Sequence, residues 1–459
     1  MVRPVRPGAV SAGTVLGHAP SGSAVTVLRL GPAAPEDPAQ IPDAVRPAEA
    51  AAWRRLILDP APWCGVEPLE PGRSPQEEYA ARLAVQSSAQ EKYYEEPMQM
   101  ERGWRHHLVD TDGRSYVDLV NNVAGLGHSH PGVRDAATRQ LGLLNTNSRF
   151  LYRELGEYAQ RLADLAPEGL DTVLFVNSGS EAVDLALKLA RAATGRPEVA
   201  SLREAYHGWT AGADAVTTSA YDSPHALASL PGWVKVLDVP HPLRGAYTGD
   251  DAGERYAGDA ATALAGWAEA GTPVGAFICE SVLGNAGGVL LPEGYLAGVY
   301  EAVRAQGGLC IADEVQVGFG RMGSHFWGFE LQGVTPDLIT IAKPMGNGFP
   351  IGAVITRREI AEALGREGMF FSSAGGSPLS CAVGQAVLDA MEAEDLQGNA
   401  LRVGERLRAG RAWWPSTGGP RGCTAPGSTW VWIWSATSEP WSLPRPRPRP
   451  SASACASSV

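Results

Sequence analysis

The sequence has 459 residues, 44% of them hydrophobic, and a formal net charge of −12. That is enough apolar material for a large core and enough length for two or three domains. The weak acidic excess is spread without a block of like charge, which excludes a basic surface for nucleic acid or anionic membrane. No apolar run approaches the roughly 18 residues of a membrane span.

The N-terminus, M-V-R-P-V-R-P-G, has no apolar stretch followed by a small-residue cleavage site, so it does not read as a secretory signal. The cysteines are Cys64, Cys279, Cys310, Cys381, Cys423 and Cys455; none forms a C-x-x-C pair, and no metal site is expected. Cys279 and Cys310 lie in apolar runs and read as core thiols. These features point to a cytoplasmic enzyme. Residues 1–75 are rich in Pro, Gly and Ala and read as a linker or the remnant of an upstream domain, with one short helix over 47–56.

Over 76–410 short β-branched runs alternate with helical stretches. T-V-L-F-V at 172–176 leads into a helix with Val183, Ala186, Leu187 and Ala190 on one face. A-F-I-C-E at 276–280 is followed by a Gly-rich loop and a helix with Leu296, Val299, Tyr300 and Val303 at i, i+3, i+4, i+7. The runs G-L-C-I-A-D at 308–313, D-L-I-T-I-A-K at 337–343 and A-V-I-T at 353–356 complete the pattern. It predicts an α/β fold with a mostly parallel sheet covered on both faces. In such sheets ligands bind beyond the carboxyl ends of the strands. The polar residues closing the runs are Asn177, Glu280, Asp313 and Lys343.

After about 410 the composition breaks. Six of the 13 tryptophans lie in 411–459, with Glu439 the only acidic residue and no lysine. The run P-R-P-R-P-R-P cannot join a helix or sheet, because proline removes donors and fixes φ. This stretch is expected to be an aberrant tail, a GC-rich reading frame shifted out of phase.

Only four lysines occur: Lys92, Lys188, Lys235 and Lys343. Lys188 is expected to pair with Asp184 at i,i+4 on a helix, Lys92 to be solvated among glutamates, and Lys235 to face outward from a strand. Lys343 ends an apolar strand before the tight loop P-M-G-N-G. A lysine there either caps the strand or points its amine into the cleft, where burial would make it a nucleophile towards an aldehyde. Asp313 closes the neighbouring run; a carboxylate there suits the pyridine nitrogen of pyridoxal phosphate. N-S-G-S-E-A at 177–182 joins a strand to a helix, with Ser178 and Glu181 spaced as a capping box. The amides of Gly179 and Ser180 would face an anion at the helix start, although an ordinary cap accounts for the motif equally well. Tyr206, in Y-H-G, offers a face for ring stacking or a core aromatic. G-F-G-R-M-G at 318–323 matches a dinucleotide fingerprint, but no helical period follows it, so a nicotinamide site is not expected.

These elements resemble the class III aminotransferase family of fold-type I pyridoxal-phosphate enzymes. The matching text is N-S-G-S-E-A, Y-H-G, C-E-S-V-L-G-N-A-G-G, I-A-D-E-V-Q-V-G-F-G-R-M-G and T-I-A-K-P-M-G-N-G-F-P-I-G-A-V. L-N-T-N-S-R-F-L and E-D-L-Q-G-N-A look most like the branch of alanine–glyoxylate aminotransferase 2-like proteins and ethanolamine-phosphate phospho-lyases. The resemblance implies a large domain plus a smaller α/β domain built from both chain ends, and pyridoxal 5′-phosphate as cofactor. It implies that Lys343 holds the cofactor and shuttles the proton, and that Asp313 pairs with the ring nitrogen. Gln316 would contact the ring hydroxyl, Gly179 and Ser180 the phosphate, Tyr206 the ring face, and Glu280 would lie near the substrate side. It further implies a homodimer in which Ser373 takes the place of a threonine reaching the partner's phosphate. The expected substrates are an amine or amino acid and a keto acid. A phospho-lyase acting on a phosphorylated amine, such as ethanolamine phosphate, is the second expectation, and an inactive remnant the third. The chain departs from the family after 410, where a strand like V-R-G-x-G-L is replaced by W-W-P-S-T-G-G-P-R-G-C-T.

Overall fold

The computed structural model describes residues 29–30, 57–58, 72–90 and 98–411, apart from 113, 122 and 244. Lys92, the expected helix over 47–56 and the tail from 412 onward lie outside the described residues. The chain divides into two compact units, residues 1–102 with 109–115, and residues 103–108 with 116–459. In the first, Arg29–Leu30 pairs antiparallel with Ile57–Leu58. The helix Pro75–Val85 opens on a capping box between Ser74 and Glu77 and carries Pro at its first position, where no N–H is needed.

The second unit is built on a seven-stranded sheet. Its strands, numbered along the chain, are β1 (Thr172–Val176), β2 (Val199–Leu202), β3 (Val234–Leu237), β4 (Ala276–Glu280), β5 (Leu309–Asp313), β6 (Leu338–Ile341) and β7 (Gly352–Thr356). They lie in the order β1-β7-β6-β5-β4-β2-β3. β7 runs antiparallel to both neighbours, and the other pairings are parallel. This is the α/β architecture that the alternating pattern predicts.

Because successive strand residues face opposite sides, the apolar runs feed two layers at once. Ile278, Ile311, Leu338 and Val354 pack against α1 (Gly179–Thr194) through Val183, Ala186 and Leu189. Phe277, Cys279 and Cys310 pack on the other face with α2 (Ala252–Glu269) and α3 (Tyr295–Ala305). Ile339, Ile341, Ala353 and Ile355 join a core with Trp327 and with α4 (Pro378–Ala393) through Cys381, Val387 and Leu388. Cys279, Cys310 and Cys381 are free and buried, as expected for the first two.

One local expectation is corrected. Asp184 does not pair with Lys188, which is exposed. Its carboxylate instead accepts the N–H of Ala213, in the first turn of the helix Ala211–Val216, at 2.7 Å. A backbone donor with no intrahelical partner outcompetes a solvated ammonium.

At the amino end of β6, buried Asp337 accepts the N–H of Cys310 at 2.8 Å, Arg304 Nε at 3.2 Å and Arg357 Nη1 at 2.5 Å. Thr356 Oγ1 donates to its carbonyl. One carboxylate thus ties α3, β5, β6 and the end of β7. Asp337→Ala should destabilise the protein by about 2–4 kcal/mol, because it strands a buried N–H and uncouples two arginines. Thermal melts should fall by several degrees while bound cofactor is retained, since the residue sits at the far end of the strands from the cleft. An unchanged melting temperature would refute the clamp.

Candidate active site

The carboxyl ends of β1, β4, β5 and β6 open on one cavity of about 350 Å³. Gly179, Ser180, Tyr206, Glu280, Asp313, Gln316 and Lys343 all line it, together with His207, Trp209 and Val315. Seven of the eight residues singled out in the sequence are therefore in one place. The eighth, Ser373, is exposed and outside the cavity of its own chain. Its neighbour Ser372 accepts from Asn177 Nδ2 at 3.1 Å instead.

Register explains the convergence. Asp313 is aligned with Glu280 on one side and with Thr340 on the other. Lys343 is not the last strand residue. β6 stops at Ile341, and Lys343 opens the four-residue helix Lys343–Gly346. Asn347 follows at φ 47°, and its amide reaches back to the loop before the helix Pro131–Leu141. Oδ1 accepts the N–H of Leu126 at 2.8 Å and Nδ2 donates to Gly127 O at 3.0 Å. That brace fixes Gly348 and Phe349 as cavity wall.

Asp313 is 4% exposed. One oxygen lies 2.7 Å from His207 Nδ1, and the other accepts the N–H of Val315 at 3.1 Å. A carboxylate with those two partners retains lone pairs for a donor in the cavity. His207 is buried, and its Nε2 has no hydrogen-bond partner among the described residues. Thr217 Oγ1 accepts the His207 N–H at 2.9 Å. Sequence reasoning missed His207. Its signal was the motif itself, a titratable ring between an aromatic and a glycine just beyond a strand.

Glu280 accepts the N–H groups of Tyr206 at 3.2 Å and Gly284 at 3.0 Å. Burial, the largest influence, pushes its pKa up to about 7, against the pull of His207. Burial also lowers the pKa of Lys343, opposed by the charges of Asp313 and Glu280 and aided by Arg321. Lys343 is thus more often a neutral amine than a solvated lysine.

α1 starts at the mouth of β1. Ser178 accepts the N–H of Glu181 at 3.2 Å, as a cap should. The reciprocal half of the expected capping box is displaced by one residue, since Glu181 accepts from the N–H and Nδ2 of Asn177, both at 3.0 Å. The first-turn amides of Gly179 and Ser180 have no intrahelical partner and lie at the positive end of the helix. A Cβ on Gly179 would meet Val315 Cγ1 at 2.8 Å, and one on Gly208, at φ 129°, would meet Ser180 Oγ at 2.3 Å. The glycines hold open a cradle suited to a phosphate. The donor set fits pyridoxal phosphate: an amine for the aldehyde, a buried carboxylate for the ring nitrogen, an aromatic, and a helix start for the phosphate.

A model of the aminotransferase class-III family matches residues 88–411. The chain belongs to that family. An alanine–glyoxylate aminotransferase 2-like protein of Drosophila melanogaster is 44% identical over 321 residues, which is 69% of this chain and 65% of the relative. The chain thus spans 65% of that relative's length. A phospholyase from Arthrobacter, solved in complex with phosphoethanolamine, superposes with a TM-score of 0.67 at 38% identity, covering 72% of this chain and 78% of that one. An amine transaminase from an uncultivated Pseudomonas species, solved in its PLP-bound form, superposes with a TM-score of 0.63 at 31% identity, covering 70% and 77%. The fold is that of the fold-type I pyridoxal-phosphate transaminases, and pyridoxal 5′-phosphate is the cofactor indicated.

Gly208→Ala should weaken cofactor binding by roughly tenfold or more, because the new methyl displaces Ser180 and the backbone is held at positive φ. Titration of the apoprotein with pyridoxal phosphate, followed by absorbance, measures this. Wild-type affinity in a folded Gly208→Ala protein would show that this cradle does not bind the phosphate.

Proposed function

We propose that the protein is a pyridoxal-phosphate-dependent aminotransferase that moves an amino group from an amine or amino acid to a keto acid. The observation that carries this is Lys343 facing the same cavity as Asp313, from the ends of adjacent strands. Among the other described lysines, Lys188 is exposed and Lys235 lies on β3, and neither lines the cavity.

When bound, the cofactor ring accepts electrons from the substrate carbon that gives up its proton. Each residue then has a task. Lys343 Nζ would hold the cofactor at its aldehyde and would carry a proton to and from the substrate carbon; its lowered pKa, set mainly by burial, favours an available lone pair. Asp313 would keep the ring nitrogen protonated, with His207 holding the carboxylate in place. Gly179 and Ser180 would receive the phosphate, Tyr206 would offer its ring to the cofactor ring and Gln316 would meet the ring hydroxyl. Glu280 holds the Tyr206 backbone and borders the substrate side.

Lys343→Ala should abolish turnover and the fixing of cofactor by borohydride, while Asp313→Asn should still bind cofactor but turn over more slowly by orders of magnitude. Borohydride fixing at another lysine in Lys343→Ala would overturn the assignment. The likeness to the Arthrobacter phospholyase favours a second reading, elimination of phosphate from a phosphorylated amine. Release of inorganic phosphate without keto-acid-dependent amino transfer would select it. A purified chain with no bound-cofactor absorbance would instead identify the inactive remnant.

The reading includes a homodimer in the cytoplasm. Three buried free thiols suit a reducing compartment. Leu143, Leu151, Met369, Phe370 and Phe371 are exposed, and Arg149 stacks over the Phe371 ring at 3.7 Å, joining the two segments that carry them. So much apolar surface, two residues before Ser373, suits a second copy whose phosphate that hydroxyl would reach. Met369→Arg should shift the protein from dimer to monomer by light scattering and loosen the cofactor. A monomeric wild type that binds cofactor tightly would contradict the shared site.

A further inference from the structure

Glu280 joins two loops through its own oxygens. Oε2 accepts the N–H of Tyr206 at 3.2 Å, from the loop after β2, and Oε1 accepts the N–H of Gly284 at 3.0 Å, from the turn after β4. That turn is a hairpin in which Val282–Leu283 pairs antiparallel with Val289–Leu290. The N–H groups of Gly287 and Gly288 both return to the Gly284 carbonyl at 3.1 Å. A Cβ on Gly284 would meet Gln316 Nε2 at 3.2 Å and Glu280 Oε1 at 3.3 Å, so the turn lies directly against two residues of the cavity wall.

The same two stretches of chain meet again at their outer ends. Asn285 Nδ2 donates to Asp222 Oδ2 at 2.9 Å, across 63 residues of sequence. Asp222 stands on a stitched loop. The N–H groups of Thr218 and Ser219 donate to the Ala205 carbonyl at 2.9 and 3.1 Å, and the Asp222 N–H reaches Ser219 Oγ at 3.4 Å. Ala205 immediately precedes Tyr206. The contacts therefore close a ring, running from Glu280 through Gly284 and Asn285 to Asp222, and back through Ala205 and Tyr206. Neither Asp222 nor Asn285 lines the cavity. Burial above all lowers the pKa of Lys343, and Asp222 is among the charges that oppose it, in keeping with a place at the rim.

We propose that the Asn285–Asp222 pair is a positioning strap: it holds the Gly284 turn over Glu280 and so fixes that carboxylate on the substrate side of the cavity. Both residues act through Glu280. The inference deepens the aminotransferase reading and rests on it for the place of the substrate. A buried carboxylate keeps its charge only where donors face it. Around Glu280 stand the Asp313 carboxylate, the His207 ring, the Lys343 amine and the two backbone N–H groups, with the Cys279 thiol next along β4. Of the two backbone donors, Gly284 is carried by a hairpin with two residues in each strand, which is too short to hold itself in place. A side-chain bond from the very next residue supplies the missing hold.

The test uses full-length holoenzyme and amide hydrogen exchange read by mass spectrometry. In Asn285→Ala, exchange in peptides covering Gly284 and Tyr206 should quicken by roughly threefold to tenfold, with β5 unchanged. Asn285→Asp sets two carboxylates against each other and should behave alike. Adding Asp222→Asn to it restores an amide–carboxylate pair in reverse and should return exchange towards the wild-type rate. In turnover, the acid limb of kcat/KM is expected near the Glu280 pKa of about 7. It should move upward in Asn285→Ala, because the Gly284 donor that lowers this pKa is lost. In a Glu280→Gln background that limb should be absent, and Asn285→Ala should then cost less than about twofold. Unchanged exchange at Gly284 in Asn285→Ala would overturn the strap, as would failure of the reversed pair to restore it. An equal loss of activity at every pH, or the same loss in the Glu280→Gln background, would show a structural tie that does not act through Glu280. The exchange measurement needs no turnover, so it reports on the strap even if the aminotransferase reading fails. Amino transfer with unaltered exchange would leave that reading standing and remove the strap alone.

Discussion

A buried negative charge at the end of β5 is the constraint around which the site is arranged. Asp313 is almost fully excluded from water, and a carboxylate so placed is stable only with donors on it. The fold supplies two, the His207 ring and the Val315 amide, and leaves room for a third in the cavity. Several features follow from that need. His207 must be delivered from the loop after β2, so that loop is fixed by Thr217 and turned at Gly208. Val315 must follow directly, so the chain bends at the strand end, and only a glycine at 179 tolerates the Val315 side chain against α1.

The same charge opposes what burial does to the lysine. Burial drives Lys343 towards its neutral form, whereas Asp313 and Glu280 pull it towards the charged one. A lysine that was merely buried would lose much of its basicity, and one merely paired would stay protonated. The opposed influences leave a lysine less basic than a solvated one but still able to take up a proton, which is what repeated proton transfer requires. Glu280, raised to about 7 by its own burial, contributes to that balance. Its two backbone donors keep it in position in either protonation state.

Much of this was legible because parallel strands buried on both faces are written as short apolar runs closed by polar residues. The runs at 172–176, 276–280 and 308–313 correspond to β1, β4 and β5, and the closing residues Asn177, Glu280 and Asp313 line the cavity. Lys343 was found for the same reason, although it stands two residues past its strand. What could not be read is whatever depends on partners distant in sequence. Nothing near Asp184 announces that Ala213 will claim it, and nothing near Asp313 announces a histidine 106 residues earlier. The spatial order of the strands, with β7 inserted antiparallel between β1 and β6, is likewise a property of the assembled sheet and not of any one run.

The adjacent pair Asp313–Glu314 shows how one strand end serves chemistry and architecture together. Successive residues point to opposite faces, so one carboxylate enters the cavity and the next enters the layer behind it. Glu314 is fully buried there; it accepts the Ser281 hydroxyl and the N–H groups of Gly328 at 2.7 Å and Phe329 at 3.0 Å. Those amides begin the short helix Gly328–Gln332, which closes the excursion that started at Val315. The loop bearing Gln316 and Arg321 is therefore anchored at both ends by a single residue. Burial pushes the pKa of Glu314 up to about 7, partly offset by those donors. Placing a second carboxylate beside Asp313 costs stability once both are ionised. That cost is consistent with a segment whose placement matters more than the strength of its packing, since the loop it pins brings Gln316 to the cofactor cavity.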